Sequence, residues 1–371
     1  MKFFLMIVAV IFGANFYIFF RLWHLIPAGF YLRPTVLALG VFLSLSLLLG
    51  IVLSGVLPAS LAAMLYKVGT AWFIISIYCL MAFLLLDLLR LTPLPMNKIL
   101  HENWITLGIL AVSITALMTY GYFNYKHKER VELPLSIEKP ITSLKIVALS
   151  DLHLGYTIGR TELEQWVELI NRENPDIVLM AGDILDNRVQ PLIEQNVAAV
   201  LRKIKSRYGV YACLGNHEYI GAMYFGGGGM AQTLDFLKNA NITILQDAAV
   251  LINNEFYVVG REDYRVHSRK SLADLLQNLD RTKPIILLDH QPFNLDKTAK
   301  NSVDLQLSGH THNGQVFPAN LLVKCMYELA HGHLQKGKSH IYVSSGIGIW
   351  GGKFRIGTRS EYVVIELNSL P

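Results

Sequence analysis

Asp151-Leu152-His153, Gly182-Asp183-Ile184-Leu185-Asp186, Gly215-Asn216-His217-Glu218, His290-Gln291-Pro292 and Gly309-His310-Thr311-His312 bring carboxylates, imidazoles and one amide oxygen together in five short segments. That donor mixture, with no thiolate, suits borderline first-row ions such as Mn, Fe, Zn or Co better than Ca or Mg. Two such ions about 3.5 to 4 Å apart would lower the pKa of a shared water toward neutrality and clamp both the attacking and the leaving oxygen of an in-line displacement. Two divalent cations also outweigh the charge of Asp151, Asp183 and a hydroxide, so the site would attract a phosphate oxyanion. Asp183 is the natural bridge, because a carboxylate has two oxygens to share. The expected chemistry is two-metal hydrolysis.

Each segment directly follows an apolar run: residues 145–150, 176–180, 209–214, 284–288 and 303–307 are short and rich in Val, Ile and Leu. Runs of that kind read as buried strands. Their polar residues then stand at strand carboxyl ends, the edge where loops converge to build sites in layered α/β folds. On an extended backbone the i, i+2 spacing puts Asp151 with His153, and His310 with His312, on one side. Each pair is expected to grip from one direction. Taken singly, a His-x-His is more often surface than ligand and Gly-Asn-His can be a plain turn. Five such segments, each after a strand-like run, leave little room for coincidence. Between them, residues 161–172 carry Leu163, Trp166, Val167 and Ile170 at helical spacing, and residues 193–205 repeat the pattern, so both are expected to cover a core. Residues 221–230 hold Met223, Tyr224, Phe225 and Gly226 to Gly229, whose glycines fix no backbone; a surface loop and a mobile lid both fit.

In all five segments and their order the chain resembles the calcineurin-like metallophosphoesterase superfamily, over roughly residues 140–368. The resemblance implies that Asp151, His153 and His312 hold one metal, that Asn216, His290 and His310 hold the other, and that Asp183 bridges. It implies His217 as the proton donor to the leaving group and Asp186 as the carboxylate that orients it. Residues 308–315, 342–348 and 355–361 look like the membrane-associated bacterial branch. A two-sheet sandwich flanked by helices is the implied fold. Asn187 stands where the protein-phosphatase relatives carry Arg, with Arg188 after it, which disfavours a phosphoprotein substrate. Asn313 replaces the first Gly of the branch's usual Gly-Gly-Gln, a mild change because Asn tolerates positive φ.

The first third is different material. Residues 3–20, 35–57, 68–89 and 104–123 are nearly free of charge and close to the about 20 residues that cross a bilayer core. Four transmembrane helices are expected, joined by short stretches marked by Arg21 and Arg33, by Pro58 and Lys67, and by Arg90, Pro93, Pro95 and Lys98. Asp87 and Arg90 read as an interfacial pair, and no charge falls mid-membrane, which argues against a transporter. A cleaved signal peptide fits less well than an anchor, since no small-x-small site follows before Arg21. His24, His101 and His127 flank the apolar stretches and read as interfacial.

The first 130 residues carry nine Lys and Arg against three Asp and Glu; from totals of 33 and 28 that leaves 24 against 25 for the rest. The chain's net charge of +5 is therefore a membrane-flank signal. No basic stripe marks the remainder as a nucleic-acid binder. With four helices both ends share a side, and Lys2, Lys67, Lys126, Lys128 and Arg130 outnumber Arg21, Arg33, Arg90 and Lys98 by one, placing the catalytic domain in the cytoplasm. Cys79, Cys213 and Cys325 form no disulfide framework. His331-Gly-His333 lies outside the segments and reads as substrate contact or solvent-exposed.

The expected protein is an α/β chain: a four-helix anchor over residues 1–130, then a metallophosphoesterase domain over 131–371. Two divalent ions (Mn, Fe or Zn) would serve hydrolysis of a phosphodiester or pyrophosphate, with the bilayer and a lipid-linked phosphoester as partners. A tethered phosphodiesterase of soluble nucleotides is one alternative, separable by its substrate panel. A non-catalytic regulatory module is another; its signature, a missing ligand or acid His, is absent from the sequence.

Overall fold

The computed structural model describes every residue except Met1, Phe30, Asn187, residues 225–228 and Pro371. The Asn187 departure and the core of the glycine-rich 221–230 stretch therefore lie outside the described residues. The chain forms two compact units, residues 1–123 with 351–354, and residues 124–350 with 355–371.

The first unit is built on helices α1 (Lys2–Leu25), α2 (Leu32–Val52), α3 (Ala59–Leu88) and α4 (Trp104–Lys126). Three segments, 32–52, 59–91 and 104–126, are long and apolar enough to cross a membrane, and α1 adds a shorter apolar run over 9–25. The third helix begins at Ala59 rather than near 68, so Lys67 is inside it. Nothing after Pro58 breaks the helix, and one lysine in an apolar run does not. Asp87 pairs with Arg90 at 3.3 Å, as expected, and also with Arg21 while accepting from the Tyr17 hydroxyl.

The second unit holds two mixed six-stranded sheets. One has the order β1-β12-β2-β3-β4-β5, from β1 (Lys128–Ile137), β2 (Leu144–Leu149), β3 (Ile177–Ala181), β4 (Val210–Cys213), β5 (Ile242–Ile244) and β12 (Ser360–Ser369). The other has the order β10-β11-β9-β8-β7-β6, from β6 (Ala248–Ile252), β7 (Phe256–Gly260), β8 (Ile285–Leu288), β9 (Leu305–Ser308), β10 (Gly332–Lys336) and β11 (Ser339–Val343). Strands buried on both faces split their side chains by the two-residue period. Ile146, Ala148, Ile177, Leu179, Ile286 and Leu288 fill the space between the sheets. Val147, Leu149, Val178 and Met180 face the opposite layer, which helix α5 (Arg160–Arg172) covers with Leu163, Trp166, Val167 and Ile170 as its periodicity dictates. Ile285 and Leu287 pack under a second outer layer with Leu272 and Leu276 of helix α6 (Leu272–Leu276).

β2, β3 and β4 run parallel, as do β7, β8 and β9. The carboxyl ends of β2, β3, β4, β8 and β9 therefore deliver the five polar segments to one edge of the sandwich.

Candidate metal centre

At that edge the backbone itself ties the segments together. Asp151 N–H donates to Gly182 O and His153 N–H to Asp183 O, both at 3.0 Å, while Gly309 N–H donates to His290 O at 3.0 Å. The side chains then cross between segments. His217 N–H donates to Asp183 Oδ1 at 2.8 Å, and His310 N–H to both oxygens of Asp151 at 3.0 and 3.1 Å. Gly215 allows the approach: a Cβ there would fall 2.2 Å from Asp183 Oδ1.

Two groups of ligand-type atoms result, Asp151 with His153 and His312, and Asp183 with His290 and His310, and a third joins His153 to Asp186 and His217. His310 and His312 fall in different groups, whereas their i, i+2 spacing alone suggests a grip from one side. The reason is local. Asp151, His153, Asp183, His310 and His312 all have φ between 47° and 72°, so these residues sit in left-handed turns rather than on extended strand. Such backbone is costly for Asp and His and collects at functional sites. Asn313, also left-handed at φ 50°, behaves as its residue type allows.

The donor set fits cations. His153 Nε2 and His312 Nε2 lie 3.0 Å apart, close enough for both nitrogens to serve one ion. His290 Nδ1 faces Ala181 O at 2.7 Å; a carbonyl only accepts, so Nδ1 carries the proton. That turns His290 Nε2 toward Asp183 Oδ2 at 3.2 Å. Among the described residues neither His290 Nε2 nor the buried Asn216 Oδ1 has a hydrogen-bond partner. Both are atoms a metal would use.

The electrostatics agree. Burial raises Asp151, although His290 and His153 oppose it, whereas for Asp183 the charges of His290 and His217 outweigh burial and hold its carboxyl well below the usual range. Burial works against the His290 cation, yet Asp183 raises it to about 10. Burial, with the charge of His290, lowers His310 to about 3. The pocket thus has room for positive charge at Asp183.

His217 adjoins both groups. Its Nδ1 lies 3.0 Å from Asp186 O and 3.1 Å from Asp186 Oδ1. Burial disfavours its cation, but Asp183 and Asp186 raise it to about 9. Asp186 also faces His153 Nδ1 at 3.7 Å, so one buried carboxylate orients two rings. His331 and His333 stay outside: both are exposed, the first bonded to Glu361 at 2.9 Å and the second to His340 at 3.0 Å.

Three features escaped the sequence. Buried Glu218 accepts from Leu185 N–H at 2.8 Å and Gly215 N–H at 2.7 Å, locking two segments together; its place beside His217 was the available signal. Buried Arg355 donates to His312 O at 2.7 Å and Gly348 O at 3.0 Å, targets that carry no side-chain signature. Tyr264, Phe293 and Tyr327 form an aromatic row, with Phe293 and Tyr327 stacked at 5.3 Å and the His310 ring 6.2 Å from Tyr327.

A sequence profile described as calcineurin-like phosphoesterase matches residues 144–314. A Helicobacter pylori protein described as an uncharacterized metallophosphoesterase is 32% identical over 281 residues, covering 74% of this chain and 73% of that one. A Bos taurus transmembrane protein with a metallophosphoesterase domain is 31% identical over 280 residues, 71% of this chain and 62% of that one. Among solved structures, a dimetal phosphatase from Danio rerio is similar at 12% identity and a TM-score of 0.33, over 55% of this chain and 88% of that one.

Proposed function

The chain belongs to the calcineurin-like metallophosphoesterase family and is a metal-dependent phosphoester hydrolase, and on that premise we propose that it is a dinuclear, membrane-anchored enzyme that cleaves a phosphodiester or pyrophosphate bond of a lipid-linked substrate. The observation that carries the reading is the position of Asp183. Its Oδ2 lies 3.2 Å from His290 Nε2 of one group and 3.8 Å from His153 Nε2 of the other. A carboxylate shared in this way is suited to bridge two ions.

In this reading Asp151, His153 and His312 hold one ion, Asn216, His290 and His310 the other, and Asp183 both. Divalent Mn, Fe or Zn bound there would supply Lewis acidity and bring the pKa of water toward neutrality. The chain's own residues do the rest. His217 keeps Nδ1 on Asp186, which leaves Nε2 to give a proton to the departing oxygen as the phosphorus–oxygen bond breaks. Asp183 and Asp186 both favour the His217 cation against burial, the form a proton donor requires. Asp186 fixes the ring and stabilises its cation.

The anchor supports the substrate class, since confining the enzyme to a bilayer is useful when the substrate is concentrated there. We assign residues 1–130 to a four-span anchor and 131–371 to the catalytic domain on the cytoplasmic side, following the basic residues after α4. The test uses the full chain in vesicles, loaded with Mn, Fe or Zn, assayed by elemental analysis and against a panel of lipid-linked and soluble phosphoesters. Two ions per chain and a preference for vesicle-borne diesters or pyrophosphates are expected. One ion per chain would remove the bridge, and equal rates on soluble nucleotide diesters would favour a tethered nucleotide enzyme.

A further inference from the structure

In the second unit the large hydrophobic side chains exposed among the described residues are not scattered. Ile193, Leu251 and Leu370 stand singly, but Phe317, Leu321, Leu322 and Met326 are 41%, 51%, 63% and 71% exposed within ten residues of chain. They belong to helix α7 (Ala319–Met326) and its approach, a helix with no buried residue. Its end leads straight into Tyr327, which stacks on Phe293, itself beside the exposed Tyr264. Along the chain the exposed apolar residues thus lead from α7 to the aromatic row beside His310. Contiguous apolar exposure of this kind marks an interaction surface.

We propose that α7 is an interfacial helix that inserts its leucines and methionine into the phospholipid bilayer and so holds the metal-bearing edge at the headgroups. The occupant follows from the chain's connectivity. α4 is long and apolar enough to cross a membrane and ends at Lys126, while β1 begins at Lys128. Two residues reach about 7 Å when extended, so the entry to β1 stays close to the end of α4 and the unit it opens is confined near lipid. The helix has the matching chemistry. Leu, Leu, Val and Met are joined by one cation, Lys324, and Arg265 lies in the exposed segment next to Tyr264. Apolar residues with a basic fringe describe helices that lie in the plane of an anionic membrane.

The position gives insertion a consequence. His312 begins the short turn that leads to α7, and Val316 bridges to Ile356 while Phe317 N–H donates to Ile356 O at 2.7 Å. A helix fixed in the headgroup layer therefore fixes the depth of the metal ligands. The inference does not depend on which phosphoester is cleaved, because its readout needs no turnover.

Cys325 offers the probe, as an exposed thiol on α7 itself, while Cys213 is buried and its thiol is pushed up by burial. In full-length protein with Cys79→Ser, Cys325 is labelled with a nitrobenzoxadiazole maleimide and the protein reconstituted into phosphatidylcholine–phosphatidylglycerol vesicles. The control label is placed at Lys338→Cys in a Cys325→Ser background, a site whose side chain is 77% exposed. The expected result is a blue-shifted Cys325 probe, quenched several-fold more by doxyl lipids labelled near the headgroup than the control, and shielded from aqueous iodide. Leu321→Gln with Leu322→Gln should return the probe toward the control while the thermal unfolding midpoint stays unchanged. Equal iodide access at the two sites overturns the proposal. So does a blue shift that grows with the protein-to-lipid ratio, which would assign the face to a second copy of the chain.

Discussion

The two units hold similar apolar side chains and expose them in opposite ways. In the helical unit Phe16, Ile105 and Val112 are 74%, 76% and 70% exposed, whereas Ile146, Val178 and Ile286 in the sheets are fully buried. Packing differs as well. The helices meet through small residues: a Cβ at Gly69 would lie 2.2 Å from Leu47 N, and one at Gly40 would enter the Phe19 ring. The sheets meet through interdigitated Ile, Leu and Val. Lipid is as apolar as leucine, so a helical unit in a bilayer gains by close backbone approach and leaves its long side chains to the solvent it has. A unit in water must enclose them. The same contrast locates chemistry, because Asp151, His153, Asp183 and His290 are buried polar groups of the second unit, gathered at the carboxyl ends of its strands.

The largest effect that would sharpen this contrast is catalytic. His217→Ala should lower turnover by about 10² to 10⁴-fold, the usual worth of a positioned proton donor, with bound metal unchanged by elemental analysis. Asp183→Ala should lose metal along with rate. No comparable loss is expected from Val112→Ala in α4, and a loss of that size there would break the division of labour between the units.

How much of this was legible follows from the same physics. The five segments, their strands and the four apolar stretches were readable because period-two burial and bilayer length leave direct marks on sequence, as in β2 and α4. The assignment of His310 and His312 to separate groups was not readable from spacing. It depends on left-handed turns at Asp151, His153 and His312, which an i, i+2 pattern does not encode. The task of Arg355, first residue of the 355–361 segment, was unreadable for another reason: its partners are main-chain carbonyls of His312 and Gly348, which have no side-chain identity. The start of α3 was misplaced because Lys67 looked like a boundary, while the helix simply carries it.

Next in size is core truncation. Trp166 is 2% exposed under the first sheet, so Trp166→Ala should destabilise the second unit by about 3 to 5 kcal/mol in thermal or denaturant unfolding. Ile105→Ala, at a side chain 76% exposed, should change stability by about 0.5 kcal/mol or less. Similar losses at both positions would mean that α4 is packed against protein rather than lipid.

A charge test reverses the contrast. Val112→Arg, well inside α4, should cost about 3 kcal/mol of membrane insertion, read by a glycosylation-mapping assay of the helix. Leu251→Arg, 38% exposed on β6, should fall within about 0.5 kcal/mol. An innocuous Val112→Arg would place α4 in water and remove the anchor.

The smallest effect is a pH dependence confined to the second unit. Glu361 is 2% exposed, and burial alone would raise its carboxyl, but His331, Ser345 N–H and the Tyr342 hydroxyl bind the ionised form and bring it below the usual carboxylate range. The hydrogen bonds are 2.9 Å to His331, 3.0 Å to Ser345 and 3.1 Å to Tyr342. A carboxyl lowered in the folded state stabilises it above its unfolded pKa of about 4.3, and that contribution is lost as pH falls through the folded value. Glu361→Gln should therefore cost roughly 1 to 3 kcal/mol at pH 7, the worth of leaving buried donors poorly matched. Below about pH 4 the gap between variant and parent should narrow, since the parent has itself lost the charge. Thermal unfolding of the full chain between pH 3 and 7, followed by the far-ultraviolet circular dichroism of the sheets, reads this directly. A gap that stays constant across the range would mean that Glu361 acts through packing alone. A gap that widens on acidification would mean that its carboxyl is raised rather than lowered, and that burial outweighs its three partners.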